Sequence, residues 1–228
     1  MSQEGLPENF SGVVRLFPLP HVVLFPHALQ PLHIFEPRYV EMTEDALASD
    51  RLIALVLLKP GWEPYYWAKP AIYDVACLGR IRWHEPLAHG RYNLLVQGLC
   101  RFRIENEVPA NTRYRQARGW PMPDMEMEVD EALKRELLHE LSSRLASDHP
   151  LQETIRALGQ IPVPIGVICD LLAFALPLEL RVKQFLLETF DVEERAQALL
   201  RNLRQLPLLE LLPAPREARP FPPQFSIN

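Results

Sequence analysis

Four aromatic residues are concentrated in one proline-bounded segment, the sequence GWEPYYW at residues 61–67, which we call the aromatic loop. Tryptophan and tyrosine combine a large apolar surface with one polar group, and they are enriched where binding energy is concentrated. Two interpretations follow: the side chains fold back over the core, or they face a binding partner. The candidate partner-binding residues are Trp62, Tyr65, Tyr66 and Trp67.

A second group of candidate residues is basic. The stretch from Arg80 to Trp120 contains eight arginines and three acidic residues. Arg101 and Arg103 alternate with apolar residues, which is the two-residue period of a half-buried strand. Arg113 and Arg115 would share one face of the next strand, and a hairpin would place the two pairs side by side. This face is either a solvated surface paired with acidic groups or a surface for RNA or an acidic peptide.

No group of residues predicts catalysis or metal binding. The sequence HEPLAH at residues 84–89 places its histidines five apart, and Pro86 would break the helix that a zinc protease motif requires. His21, His27 and His33 recur every six residues, a spacing that no single strand or helix brings together. The sequence contains no G-x-x-x-x-G-K-[ST] motif and no serine in a nucleophile elbow. We expect no catalytic residue, no metal and no cofactor.

The composition favours a soluble cytoplasmic protein. With 228 residues, 48% of them hydrophobic, and a net charge of −5, the chain has enough apolar residues for a sizeable core and no overall attraction to nucleic acid or anionic membrane. No apolar run reaches the roughly 18 residues needed to span a bilayer, and the first residues lack the features of a secretory signal. Cys77, Cys100 and Cys169 are odd in number and far apart, which favours reduced, buried thiols.

The first 120 residues show a β-rich pattern with one helix. Strands are predicted over residues 13–19, 22–25, 30–35, 52–58, 72–83, 92–99, 100–107 and 112–120. The run LIALVLL at residues 52–58 predicts a central strand that is buried on both faces. Pro37 near the first helical position predicts a helix over residues 36–49. Residues 84–90 predict a hairpin loop in which Gly90 has a positive φ. About six strands and one helix suit a small closed or nearly closed barrel.

After a proline- and charge-rich boundary at residues 121–128, the pattern changes to helix. Helices are predicted over residues 130–146, 151–158, 164–176, 177–190 and 192–206. Asp191 is predicted to cap the last helix, with Glu194 completing an acidic version of the capping box. These patterns predict a β domain over residues 11–122, a helical bundle over residues 128–206 and a proline-rich extended tail over residues 207–228.

Several spaced blocks resemble, in the same order, the amino-terminal substrate-recognition domain of the ATP-dependent Lon protease. The blocks are LFPL at 16–19, VVLFP at 22–26, PLHIF at 31–35 followed by EPRY at 36–39, VACLGRI at 75–81, LLVQGLCRF at 94–102, and the helical segments 171–177 and 184–194. The resemblance implies a mixed β barrel related to the PUA fold, then a helical bundle, and a role in binding polypeptide substrates. The Lon ATPase and protease motifs have no counterpart here, so the resemblance implies a stand-alone form without catalytic residues.

These observations together predict an α+β protein with a PUA-like barrel followed by a helical bundle. Its predicted function is the non-catalytic binding of polypeptides or unfolded protein segments through the four aromatic residues. The alternative is an RNA-binding module that uses the four arginines. Ionic strength distinguishes the two, because phosphate contacts make affinity fall steeply with salt, whereas the capture of apolar peptides barely responds.

Overall fold

The computed structural model describes residues 6–7, 9–125, 131–147, 149 and 151–206. These residues form two compact units, of which the first ends at Pro123 and the second begins at Asp124. Within the described residues, the first unit contains six strands and one α-helix, and the second contains five α-helices. None of these helices has the length and apolarity needed to cross a membrane. The domains at residues 11–122 and 128–206 stay a prediction, and the tail at 207–228 lies outside the described residues.

The strands of the first unit form one mixed sheet that closes on itself. They are β1 (Val13–Leu19), β2 (Leu29–Ile34), β3 (Leu52–Leu57), β4 (Val75–Leu87), β5 (Arg91–Val108) and β6 (Gln116–Met122). The strand order is β2-β5-β4-β3-β1-β6, and β6 pairs again with β5, so five strands close into a ring and β2 is attached to β5. β1 runs parallel to β3, whereas the other pairs are antiparallel. The predicted α+β class is confirmed.

The ring encloses the hydrophobic core of the first unit. β3 is buried at every position, as the run LIALVLL predicts. Core residues from the neighbouring strands include Val14, Leu16, Ala76, Leu78, Phe102 and Ala117. Gly98 is needed where the long strand β5 passes another segment, since a Cβ atom there would lie 2.0 Å from the Phe25 carbonyl oxygen. The same holds for Gly119, where a Cβ atom would lie 2.0 Å from the Arg103 carbonyl oxygen.

The helix of the first unit, α1 (Pro37–Leu47), begins at the proline that the sequence indicates. Pro37 lacks the N–H that would have no partner in the first turn, and its fixed φ suits a helix. The helix buries Tyr39, Met42 and Ala46. On its outer side, Asp45 accepts a hydrogen bond of 2.7 Å from the Tyr114 hydroxyl. These contacts hold the helix firmly, and the residues at its start are therefore well positioned.

Three predictions for the first unit are wrong: one strand does not form, and two strand boundaries differ. Residues 20–28 contain no strand, although the sequence predicts one over residues 22–25. Pro20 and Pro26 bound this segment and cannot donate to a sheet, so its apolar side chains are buried without strand pairing. β4 continues to Leu87, which leaves only residues 88–90 for the hairpin turn. Gly90 has a φ of 67°, and the prediction that its φ is positive is confirmed. β6 begins four residues later than predicted, because the residues before it form bends.

The second unit is helical, as predicted. Its helices are α2 (Glu131–Ser143), α3 (Leu151–Leu158), α4 (Ile165–Ala175), α5 (Leu180–Glu188) and α6 (Val192–Gln205). The predicted cap of α6 is confirmed, since Asp191 accepts a hydrogen bond of 2.9 Å from the Glu194 N–H. Arg195 on α6 is fully buried, donates to Asp124 at 2.9 Å and lies 3.5 Å from Asp170 on α4. These ion pairs fix the start of the unit to its central helices.

Candidate functional site

The aromatic loop divides its side chains between the protein body and solvent. A short 3-10 turn over Glu63–Tyr65 reverses the chain inside the loop. Trp62 and Tyr66 are half-buried and pack edge to face, with 5.6 Å between ring centroids. Tyr65 and Trp67 are 62% and 80% exposed. Each interpretation from the sequence therefore describes half of the loop: two aromatic residues anchor it and two remain accessible to a partner.

The anchor of the loop is an ion pair at the start of α1. The buried carboxylate of Glu36 accepts a hydrogen bond from the Tyr66 hydroxyl at 2.6 Å and another from Arg38 Nε at 3.1 Å. Arg38 also donates to the Tyr66 carbonyl oxygen at 3.3 Å. Its guanidinium carbon lies 4.6, 4.8 and 5.6 Å from the ring centroids of Tyr39, Tyr66 and Trp67. Charge, hydrogen bonds and cation–π contacts thus join the loop to the helix.

The pKa values of two phenols and one guanidinium group in this cluster are raised above their usual values. Burial, assisted by the hydrogen bond to Glu36, raises the pKa of Tyr66 to about 12. Burial also raises the pKa of Tyr39. Burial disfavours the charged form of Arg38, yet its interactions with Tyr39 and Glu36 outweigh this effect and raise its pKa. At neutral pH both phenols keep their protons and Arg38 keeps its charge, so the cluster is a fixed support rather than a proton-transfer site.

An apolar pocket of about 100 Å³ lies against this cluster. Its apolar wall includes Phe17, Leu19, Val22, Leu32, Ile34 and Phe35. The one carboxylate in the wall belongs to Glu36, whose two oxygens are occupied by Tyr66 and Arg38. A cavity of about 150 Å³ is large enough for benzene. The pocket is smaller, and its one carboxylate is already paired, so it suits one aliphatic side chain.

A wider groove of about 400 Å³ shares Tyr39 with the apolar pocket. Trp67 lines this groove, whereas Tyr66 lines the pocket, so the aromatic loop borders both cavities. Arg115 in the groove donates two hydrogen bonds to Glu107, at 2.9 and 2.6 Å. The hydrogen bond with Arg115 lowers the pKa of the Glu107 carboxyl. The groove is therefore polar, and Arg115 in its wall is already paired with Glu107.

The predicted exposed arginine face does not form on β5. Arg101 is only 1% exposed, and Arg103 is half-buried. At both residues β5 is paired with β4 on one side and with β6 on the other. A two-residue period predicts which side chains share a face of the strand, but it does not show whether that face is exposed. For Arg101 the prediction of a solvated position is wrong.

The second arginine pair lies before β6 and not on it. Arg115 is bound to Glu107, and Arg113 Nε lies 3.4 Å from a carboxylate oxygen of Glu41 on α1. β5 and β6 pair as an antiparallel hairpin, but Arg113 and Arg115 lie in the segment between the two strands, so the hairpin does not align them with Arg101 and Arg103. RNA binding stays a prediction, and the described residues do not form the four-arginine face on which it depends.

Sequence reasoning missed Glu36 and Arg38 as site residues. The sequence EPRY at residues 36–39 indicated only the start of a helix. The available signal was the pair of opposite charges on either side of Pro37, because a helix start fixes the directions of both side chains. No local pattern indicates that the hydroxyl of Tyr66, thirty residues later, donates a hydrogen bond to the Glu36 carboxylate.

The candidate histidines make ordinary contacts. The His21 ring packs edge-on against Trp62, with 6.0 Å between centroids. His33 Nδ1 lies 2.9 Å from Asn93 Oδ1. Within the described ranges, no three or more His, Cys, Asp or Glu residues are grouped so that they could hold a metal ion. The histidines therefore belong to the packing around the apolar pocket and to the sheet.

Known proteins that resemble this chain over most of its length belong to one family. The family described as the ATP-dependent protease La (LON) substrate-binding domain matches residues 13–205. The Lon protease of Heliobacterium modesticaldum is 29% identical over 92% of this chain, and that of Dictyoglomus thermophilum is 30% identical over 90%. Each match covers 26% of the relative, so the chain spans about a quarter of the length of these curated proteins.

Two solved structures share the fold. A Lon N-terminal domain protein from Xanthomonas campestris is 22% identical with a TM-score of 0.63, and the match covers 86% of this chain and 99% of that one. The N-terminal domain of the Mycobacterium avium complex Lon protease is 19% identical with a TM-score of 0.65, and the match covers 85% and 98% of the two chains. At these identities the similarity concerns the fold alone.

Proposed function

Because the chain belongs to the family of Lon substrate-binding domains, we propose that it binds polypeptides, above all exposed apolar segments of unfolded proteins. The family match concerns the substrate-binding part of Lon and not its ATPase or protease part. The proposal therefore includes that binding leaves the covalent bonds of the partner intact and needs no cofactor. It places this activity in the cytoplasm, away from membranes.

The observation that carries the proposal is the position of Tyr65 and Trp67. Both are large aromatic residues left exposed, and the loop that holds them borders an apolar pocket and a groove. Burying a large aromatic side chain removes roughly 150–250 Å² from water, which at about 25 cal/mol per Å² contributes at most about 4–6 kcal/mol before entropic costs. Two such side chains are enough to bind a flexible partner.

The support beneath these side chains lowers the entropic cost of binding. Tyr66 is hydrogen-bonded to Glu36, and Arg38 lies over the rings of Tyr66 and Trp67. A loop held in this way loses less conformational freedom when a partner arrives than a free loop would. The ion pair thus contributes to affinity without touching the partner.

The test is a substitution at the exposed aromatic residues. The double variant Tyr65→Ala/Trp67→Ala should bind fluorescein-labelled, reduced and carboxymethylated α-lactalbumin at least about tenfold more weakly than the unchanged protein, since hot-spot aromatic residues each contribute about 1–2 kcal/mol or more. Fluorescence anisotropy measures the affinity. The matched control is Trp120→Ala on β6, which removes a tryptophan that is 46% exposed and should change the affinity less than about twofold.

Two results would contradict the proposal. One is an affinity that the double variant leaves unchanged, which would place binding elsewhere. The other is an affinity that falls steeply between 50 and 300 mM salt, which indicates phosphate-like or charge-dominated contacts rather than apolar capture. Recovery of the labelled polypeptide in shortened form would contradict the claim that its covalent bonds stay intact.

A further inference from the structure

β2 is an edge of the sheet. Within the described strands it pairs only with β5, from Leu29 opposite Gln97 to Ile34 opposite Tyr92. The other side of β2, which we call the β2 edge, has no strand beside it among the described residues. Edge strands present N–H and C=O groups that are able to pair with a further chain. The β2 edge is therefore a surface whose chemistry matches an extended main chain.

The hydrogen-bond pattern shows which residues of β2 face this edge. Gly98 N–H donates to the Ala28 carbonyl oxygen at 2.9 Å, and the Gly98 carbonyl oxygen accepts from the His27 N–H at 2.9 Å, so the Ala28 carbonyl group points to β5. Hydrogen-bonded and non-hydrogen-bonded pairs alternate along an antiparallel ladder. The main-chain groups of every second residue after Ala28 therefore point to β5. Those of Leu29, Pro31 and His33 point to the β2 edge.

The middle of the β2 edge is blocked. Pro31 has no N–H, and its carbonyl oxygen accepts a hydrogen bond of 2.8 Å from the side chain of Gln30. Proline on an edge strand limits unselective pairing with other chains. The main-chain groups of Leu29 and His33 remain for an incoming strand on either side of this block. Pairing at the edge is thus weak by itself and requires an additional contact.

The apolar pocket supplies that contact. Part of its wall consists of Leu32, His33 and Ile34 at the end of β2 and of Phe35 directly after it. A strand added to the β2 edge would lie about 4.8 Å from β2. Its side chains at that spacing would reach the mouth of the pocket. Because the Glu36 carboxylate is already occupied by Tyr66 and Arg38, the pocket favours an uncharged side chain.

We propose that the polypeptide partner binds as an extended segment that adds a strand to the β2 edge and inserts one aliphatic side chain into the apolar pocket. This inference rests on the proposed function and specifies the conformation and the anchor of the bound chain. Main-chain pairing makes binding tolerant of sequence, whereas the pocket selects the anchor. The partner is therefore a non-native segment with a leucine-sized side chain and no proline at the residues that face β2.

The experiment is an N-methyl scan of a peptide with one anchor. The probe is fluorescein-labelled, end-capped KTSTLTSTK, whose single leucine fixes the register. Five analogues carry one N-methyl group each, from the first serine to the second. If the peptide adds a strand, its N–H groups face β2 at every second residue. Affinity should fall at least about tenfold at alternate positions and less than threefold at the others.

A substitution in the protein provides an independent measurement. Pro31→Val adds an N–H to the middle of the β2 edge, and it should bind the unmethylated peptide about threefold to tenfold more tightly, the effect of one added hydrogen bond. The matched control is Pro86→Val on β4, a residue that lines neither the pocket nor the groove. It should change the affinity less than twofold.

The outcomes separate this inference from the proposed function. If the peptide and the unfolded protein both bind but the N-methyl scan shows no two-residue period, the extended-strand inference is wrong and the proposed function stands. If neither binds, the proposed function itself is wrong. Sedimentation that shows self-association in competition with the peptide would assign the β2 edge to a second copy of the chain, and it would likewise overturn the inference.

Discussion

Two arginines of the protein are paired with carboxylates in opposite surroundings. In the second unit, Arg195 is fully buried, donates to Asp124 at 2.9 Å and lies 3.5 Å from Asp170. In the first unit, Arg38 is half-buried, donates to Glu36 at 3.1 Å and has aromatic rings against its guanidinium group. The same chemistry therefore lies inside one unit and at the surface of the other.

The comparison separates an ion pair that lies inside a unit from one that lies beside the proposed binding site. The charge of Arg195 is enclosed by its own unit, and its carboxylate partners join α4 and the start of the unit to α6. Arg38 lines the polar groove and supports Trp67, which is 80% exposed. An ion pair that borders open space and holds aromatic side chains is thus a better indicator of a binding site than a buried one.

The largest expected effect concerns the buried arginine. Arg195→Met should lower the free energy of unfolding of the second unit by about 3–5 kcal/mol, because it removes the buried cation that Asp124 and Asp170 contact. Urea unfolding followed by circular dichroism measures this change. Under conditions where the variant remains folded, its affinity for the labelled polypeptide should be unchanged.

The control is Arg204→Met, which removes an exposed arginine paired with Glu136 and Glu140 on α2. Exposed ion pairs contribute little to stability, so this variant should unfold at nearly the same urea concentration as the unchanged protein. If Arg195→Met weakened polypeptide binding as strongly as the double aromatic variant, the assignment of binding to the first unit would be wrong.

A smaller effect should appear in alkaline solution. All six tyrosines lie in the first unit, and both Tyr66 and Tyr114 have a pKa of about 12. A phenol whose pKa is raised by folding stabilises the folded state fully below its unfolded pKa of about 10, and this contribution is lost as the pH rises through the folded pKa. Stability of the first unit should therefore fall between pH 10 and pH 12.

Tyr66→Phe tests this assignment. In an absorbance titration at 295 nm, the variant should lack one of the ionisations near pH 12, and the decline of its stability between pH 10 and pH 12 should be smaller. Loss of an ionisation near pH 10 instead would show that the hydrogen bond between Tyr66 and Glu36 does not persist in solution.

Much of the fold follows from the sequence because it depends on local patterns. The apolar run of β3, the proline at the start of α1 and the aspartate that caps α6 each act through neighbouring residues, and each is found as predicted. The segment at residues 22–25 has the composition of a strand, but the prolines on both sides prevent pairing. A local pattern indicates a preference for strand, whereas a sheet requires available partners.

The candidate site could be predicted only in part, because it joins distant residues. The density of aromatic residues in the loop indicated Trp67, yet the ion pair beneath it joins Glu36 and Arg38 to Tyr66 across about thirty positions. The arginine face failed for a related reason. Alternation placed Arg101 on one face of β5, but whether that face is exposed depends on tertiary packing, and Arg101 is only 1% exposed.

Hydrogen–deuterium exchange of the whole chain, with and without excess reduced and carboxymethylated α-lactalbumin, tests most directly whether the first unit holds the polypeptide. Backbone amides of residues 29–35 and 61–67 should exchange several-fold more slowly in the complex, and those of α5 and α6 should be unchanged. Protection confined to α5 and α6, or to residues 101–118, would contradict the account.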